Sequence, residues 1–178
     1  MIISRQNRRV KDIRRLRRSK GDQALLEGRH LVLEALAAGL HLEEVLVTPG
    51  WLTSAEGREL ASIFSRRGLE PLHVEPDVLD SLTDADSPRG VLAVATLPRH
   101  GIEALPVCVS DPYLYIEGLQ DPGNLGALAR VAEAAGAAGI ALSPGTAHPN
   151  HSRALRASAG SLLRLPVAVG VQPEDLDR

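Results

Sequence analysis

The sequence predicts an α/β protein of two units. Short apolar runs of strand length alternate with segments whose apolar residues recur three and four apart, so strands and helices take turns along the chain. The 178 residues suffice for two small units. A stretch holding Pro98, Gly101, Pro106 and Pro112 divides them, with the first unit at residues 1–96, a linker at 97–106 and the second unit at 107–178. Helices packed on both faces of a partly parallel sheet follow from the alternation.

Residues 7–18 set Val10, Ile13 and Leu16 three apart beneath arginines, with Asn7 available as N-cap, and read as a basic amphipathic helix. Residues 24–27 form a short apolar strand. Gly28 then leads into a helix through Leu31, Val32, Ala35 and Leu36, closed by Gly39. Residues 43–48 alternate and stop at Pro49-Gly50, as a strand does. Residues 53–67 gather Leu60, Ala61, Ile63 and Phe64 on one side of a helix. A strand at 71–74, a helix at 76–82 and a continuously apolar strand at 90–95 complete the first unit.

The second unit repeats the rhythm, with residues 107–109 as a candidate opening strand. A strand at 113–117, a turn at 118–123 and a helix at 125–135 follow. Then come a strand at 139–143, a loop at 144–151, a helix at 152–163 and a strand at 166–170.

Composition narrows the function. Aromatic residues are 2% (Trp51, Phe64, Tyr113 and Tyr115), so the core rests on Leu, Val, Ile and Ala, and rings for stacking on bases are scarce. The single Cys108 lies in an apolar run, reads as a small buried hydrophobe, and excludes an internal disulfide framework or a cysteine metal cluster. His148, Asn150 and His151 share a loop but lack a partnered carboxylate or cysteine, so no metal is expected. Asp84 and Asp86, before Ser87-Pro88-Arg89-Gly90, read as turn chemistry. Met1 leads straight into charged residues, without an apolar signal core or a run of membrane-spanning length, and a cytoplasmic location is the expectation.

The net charge of −2 hides a segregation: nine of the twenty bases and one of the 22 acids fall in residues 1–20, leaving eleven bases against 21 acids elsewhere. The first twenty residues therefore carry +8 and the rest −10. A segregated basic block is an electrostatic footprint for polyanions, the alternative being a solvated helix face or a frayed tail. Arg5, Arg8, Lys11, Arg14, Arg15, Arg17 and Arg18, with Asn7 beside them, are the nucleic-acid-binding candidates here, and the predominance of arginine suits phosphate forks.

Chemistry concentrates after the strand at 113–117. A turn rich in Asp, Pro and Gly delivers Asn124 to a helix start, where its side chain caps free amides or faces a ligand. Open α/β sheets bind ligands at this edge, beyond the strand carboxyl ends. Arg130 follows six residues later, nearly two turns on, so both are expected at one mouth. A capping Asn with an ordinary surface Arg is the alternative reading.

The run Asn124-Leu125-Gly126-Ala127-Leu128-Ala129-Arg130 resembles motif 1 of the SpoU (TrmH-like) branch of the SPOUT RNA methyltransferases. Arg156-Ala157-Ser158-Ala159-Gly160, followed by Leu165-Pro166-Val167, is similar to the segment those enzymes carry next. Ser4-Arg5-Gln6-Asn7 and Leu26-Glu27-Gly28-Arg29 are similar to the start of the family's substrate-binding domain. The resemblance runs collinearly through nearly the whole chain. It implies an L30e/L7Ae-like α-β-α domain at 1–96 that binds structured RNA, rRNA or tRNA, followed by part of a SPOUT domain, Rossmann-like and normally trefoil-knotted.

The activity implied is transfer of a methyl group from S-adenosylmethionine to a ribose 2′-hydroxyl, with Asn124 and Arg130 as catalytic residues and Arg29, Arg156 and Ser158 joining the RNA contacts. A guanidinium does not readily lose its proton, so the expected role of Arg130 is to clamp a phosphate and stabilise developing alkoxide charge. The family's cofactor motifs 2 and 3 find no counterpart before Arg178; no cofactor residue is assigned, and a C-terminally truncated, inactive chain is the expectation. The intact family protein is expected to be a homodimer. The rival reading is an RNA-binding protein without a cofactor site.

Overall fold

The structure, a computed structural model, describes residues 4–83, 90–98, 101–107 and 110–176. Four strands form the first sheet: β1 (Gln23–Glu27), β2 (His41–Val47), β3 (Leu72–His73) and β4 (Val91–Thr96). Their order is β1-β4-β2-β3, with β4 antiparallel to both neighbours and β3 parallel to β2. The two-residue period sends Ala24, Leu26, Val45, Val47, Ala93 and Ala95 to one face, under helices α2 (Gly28–Ala37) and α4 (Ala55–Arg66). Leu25, Leu46, Leu92 and Val94 point to the other, under α1 (Arg8–Arg15) and α5 (Pro76–Asp80). The result is an α-β-α sandwich whose basic helix α1 is stapled down by Val10 and Ile13.

Asn7 caps α1 as expected, its side chain accepting from the Arg9 amide at 2.9 Å. The helix ends earlier than its pattern suggests, at Arg15, and a 3-10 turn (Leu16–Arg18) carries the remaining basic residues. Pro49 does not merely stop β2. It opens a four-residue helix α3 (Pro49–Leu52), because its fixed φ suits a first helical position.

The second sheet is wholly parallel: β5 (Tyr113–Ile116), β6 (Gly139–Leu142) and β7 (Val167–Val169), in that order. Helix α6 (Pro122–Ala134) joins β5 to β6. The helix predicted at 152–163 is broken into α7 (Ser152–Ser158) and α8 (Ser161–Arg164). Ala159 and Gly160 both take left-handed backbone, at φ 48° and 96°, which no continuous right-handed helix accepts. Gly160 has a second constraint, since an added Cβ would lie 2.8 Å from Glu34 of α2.

The expected linker is narrowed from both ends. Leu97 is buried and its amide extends the first sheet by donating to Asp22 O at 2.7 Å. Ile102 and Leu105 pack on Ala141, Ala168 and Val171 of the second unit. Val107, the one described residue of the strand expected at 107–109, stands 96% exposed outside any strand. Cys108, Val109, residues 99–100, Asp84, Asp86 and Ser87-Pro88-Arg89 lie outside the described residues. The two units share one apolar cluster, in which Leu26 and Val32 of the first join Leu125, Ala129, Ile140 and Leu155 of the second. Among the described residues no helix is long and apolar enough to cross a membrane.

Candidate active site

The carboxyl edge of the parallel sheet is held by cross-linked loops. Gly118 N donates to Ser143 Oγ at 3.0 Å, and Gln120 Nε2 donates to the carbonyls of Gly118 and Gly145 at 3.1 and 2.8 Å. Tyr115 Oη donates to Val171 O at 3.3 Å, tying the end of β5 to the chain leaving β7. Burial, then Glu117 and Glu174, raise its pKa above the ordinary tyrosine value, so the hydroxyl keeps its proton and remains a donor.

Helix α6 starts three residues earlier than expected, and Asn124 is not its cap. Asp121 fills that position, its side chain accepting from the Asn124 amide at 2.8 Å, and Pro122 takes the first helical position, where a missing N–H costs nothing. Asn124 thus stands exposed in the first turn with its side chain outside the capping scheme. Arg153 Nη2 meets Asp121 Oδ2 at 3.3 Å, joining α7 to this helix start. Gly126, between Asn124 and Arg130, lets the two helices touch: a Cβ there would sit 2.3 Å from Ala154 O and 2.7 Å from Ser158 N.

Arg130 is exposed and lines an open groove of roughly 620 Å³ between α6 and the α7–α8 break, with Glu133, Ala159, Ser161 and Arg164 among the walls. Asn124 does not line it. Six residues at about 100° each set the two side chains some 120° apart around the helix, so the chain does not gather them in one groove as expected. Glu133, one turn beyond Arg130, is the obvious ion-pair partner, yet Arg164 takes both its oxygens at 2.6 and 2.7 Å and Ser161 donates at 2.7 Å. Arg130 has no hydrogen-bond or ion-pair partner among the described residues.

The other expected contacts divide. Ser158 is fully buried, its hydroxyl donates to Leu155 O at 2.7 Å, and it lies at the wall of the Arg130 groove; the helix-surface pattern hid the close α6–α7 crossing that covers it. Arg156 donates Nη1 to the buried Glu27 at 2.5 Å, and Arg29 meets Glu59 at 2.5 Å. On the arm, Arg14 donates to Ser81 O and Oγ at 3.1 and 2.9 Å, Arg5 pairs with Asp77, and Arg8 and Arg15 flank Asp12. Lys11, Arg15 and Arg18 remain exposed, and Arg17 is partly covered. His148 and His151 accept backbone amides, His151 from Arg153 N as the cap of α7. Sequence reasoning missed Glu133, and named Glu27 and Asn150 without the contacts they make. Only Glu133, three residues after Arg130, carried a spacing signal.

For S-adenosylmethionine, the rim offers Gly118, Gly145 and Gly170, one after each strand of the parallel sheet, and a Cβ at each would meet nothing within 4 Å. At these three turns the carboxyl edge is open and lined by backbone.

An α-β-α platform with a basic helix is joined to a parallel sheet, and among the described residues Arg130 stands unpaired in the groove beside α6. Residues 7–93 match the MRM3-like substrate binding domain and residues 111–176 the SpoU rRNA Methylase family. The chain is 31% identical to the 23S rRNA (guanosine(2553)-2′-O)-methyltransferase RlmP of Bacillus subtilis, over 99% of this chain and 67% of that one. It is 36% identical to an uncharacterized tRNA/rRNA methyltransferase of Synechocystis, over 93% and 60%. Among solved structures, an RNA 2′-O ribose methyltransferase superposes with a TM-score of 0.81 at 32% identity, covering 99% of this chain and 67% of that one. The S-adenosylmethionine-bound rRNA methyltransferase of Sinorhizobium meliloti gives 0.79 at 29%, covering 94% and 63%. The chain belongs to the SpoU family of RNA methyltransferases. It spans about two thirds or less of the length of these relatives.

Proposed function

We propose that this protein serves in methylation of a ribose 2′-hydroxyl of ribosomal RNA in the cytoplasm, with S-adenosylmethionine as methyl donor. The observation that carries the reading is Arg130, exposed and unpaired beside a glutamate that Arg164 and Ser161 hold away from it. A free guanidinium over an open groove suits a phosphate and the alkoxide charge that grows on the attacking oxygen.

Residues of the arm, led by Lys11, Arg15 and Arg18, hold the RNA backbone by charge. Asn124, exposed at the first turn of α6, orients the ribose. S-adenosylmethionine, bound at the rim of Gly118, Gly145 and Gly170, supplies a methyl group already activated on a sulfonium, so the protein's task is alignment. Because Asn124 and Arg130 point to different sides of α6, the reading includes a second copy of the chain at this helix. Leu128 and Val131, 38% and 65% exposed on α6, supply apolar surface for such a homodimer.

The test is to incubate the protein in its full natural length with rRNA and methyl-labelled S-adenosylmethionine, digest the RNA and separate the nucleosides. Label in one 2′-O-methylnucleoside is the expected result. RNA binding without label, and without heat on titration with S-adenosylmethionine, leaves the RNA-binding-only reading standing instead.

A further inference from the structure

Two part-buried contacts, made by residues far apart in sequence, join α7 to the first unit. Glu27, at the end of β1, is 8% exposed; its Oε2 accepts from Arg156 Nη1 and Thr83 Oγ1, each at 2.5 Å, while its Oε1 has no partner among the described residues. Asn150, 1% exposed and just ahead of α7, donates Nδ2 to Gly21 O at 2.7 Å. Gly21 directly follows the basic segment, and the 3-10 turn that ends the arm also packs on α7.

Helix α7 is in turn fixed to the mouth. Arg153 bonds the Asp121 cap of α6, and the crossing at Gly126 brings backbone against backbone. The arm and the mouth are thus linked through one short helix.

Stability alone is a poor account of the Glu27–Arg156 pair. A buried ion pair recovers little more than its desolvation cost, and apolar residues fill such space as well. What a directional pair adds is a unique alignment of the surfaces it joins. Phosphate binding by Arg156 is also a poor account, because its guanidinium is already turned inward to a carboxylate.

We propose that Arg156 and Asn150 are positioning residues: through Glu27 and the Gly21 carbonyl they hold the basic arm at a fixed distance from α6, so that RNA gripped by the arm presents its ribose at Arg130. This rests on the RNA-methylation reading for its purpose, but the fixed distance is measurable without RNA.

The experiment places nitroxide labels at Asp12→Cys on α1 and Ala135→Cys beside α6, with Cys108→Ser, and reads the distance distribution by pulsed electron resonance. The same chains are titrated with an rRNA fragment across a range of salt. The unaltered site gives one narrow distribution; Arg156→Met and Asn150→Ala each broaden or displace it. RNA affinity falls several-fold, the salt slope is unchanged, and Glu27→Gln combined with Arg156→Met is no worse than Arg156→Met alone. Narrow, unmoved distributions in both variants overturn the proposal, as does a slope shallower by about 0.7–0.9, which marks Arg156 as a phosphate ligand. Should Arg156→Met fail to fold by circular dichroism, Arg156→Lys, which keeps the charge and loses the fork, is read in its place. If the parent protein binds no RNA, the function reading falls, and the distributions still decide the registration.

Discussion

Glu133 holds Arg164 in a two-point fork, Nε to Oε1 at 2.6 Å and Nη2 to Oε2 at 2.7 Å. The fork leaves Arg130, one turn away on the same helix, without a carboxylate. Arg164→Met should release Glu133 to pair with Arg130 and lower RNA methylation several-fold, while stability changes by less than about 1 kcal/mol because the pair is partly exposed. Adding Glu133→Gln should restore activity. A double variant as impaired as Arg164→Met shows that the fork does not keep Arg130 free.

Gly126 marks the point where α6 and α7 have no room for a side chain. With a Cβ 2.3 Å from Ala154 O, Gly126→Ala must push the helices apart, at a cost of about 1–3 kcal/mol for forced overpacking. The urea midpoint should drop accordingly. An unchanged midpoint means that the crossing is looser than described.

The basic segment separates into exposed and internally bonded arginines. Replacing exposed Lys11, Arg15 and Arg18 with Gln should make the salt dependence of RNA binding shallower by about 0.7–0.9 for each phosphate that is no longer neutralised, without change in melting temperature. Arg14→Gln should instead lower thermal stability, since its guanidinium bonds Ser81 at two points. Equal effects of Arg14 and Arg15 on the salt slope would contradict this division.

Most of the fold was legible in the sequence because its periods are clean. The alternation that sends Leu25 and Leu26 to opposite faces and the stripe of Val10 and Ile13 both appear where expected. What was not legible depends on contacts distant in sequence. The break at Ala159 and Gly160 comes from packing beside Glu34 of α2, and the Glu27–Arg156 pair joins residues 129 positions apart. In the site, Asn124 was read as either a cap or a ligand-facing residue; Asp121 ahead of Pro122 takes the cap, a local competition decided three residues earlier in the chain. Ser158 had a surface pattern and a buried place, since Gly126 brings α6 directly over it.

The two units should stay together when the chain between them is cut. Protease is expected to nick within 97–112, the stretch richest in proline, with the fragments co-eluting in native gel filtration because Leu26 and Val32 share a cluster with Leu125 and Leu155. Separate elution would mean that the shared cluster is too weak to hold them.

The central claim is that Arg130 stabilises the reacting ribose oxygen, and the direct measurement is single-turnover methylation of rRNA by Arg130→Ala and Arg130→Lys beside the parent protein. Loss of one group aimed at developing charge lowers the chemical step by about 10²–10³. The expected result is a fall of that size for Arg130→Ala, partial recovery for Arg130→Lys, and RNA affinity within a few-fold of the parent. Methylation by Arg130→Ala at the parent rate, with RNA bound equally, would contradict the account.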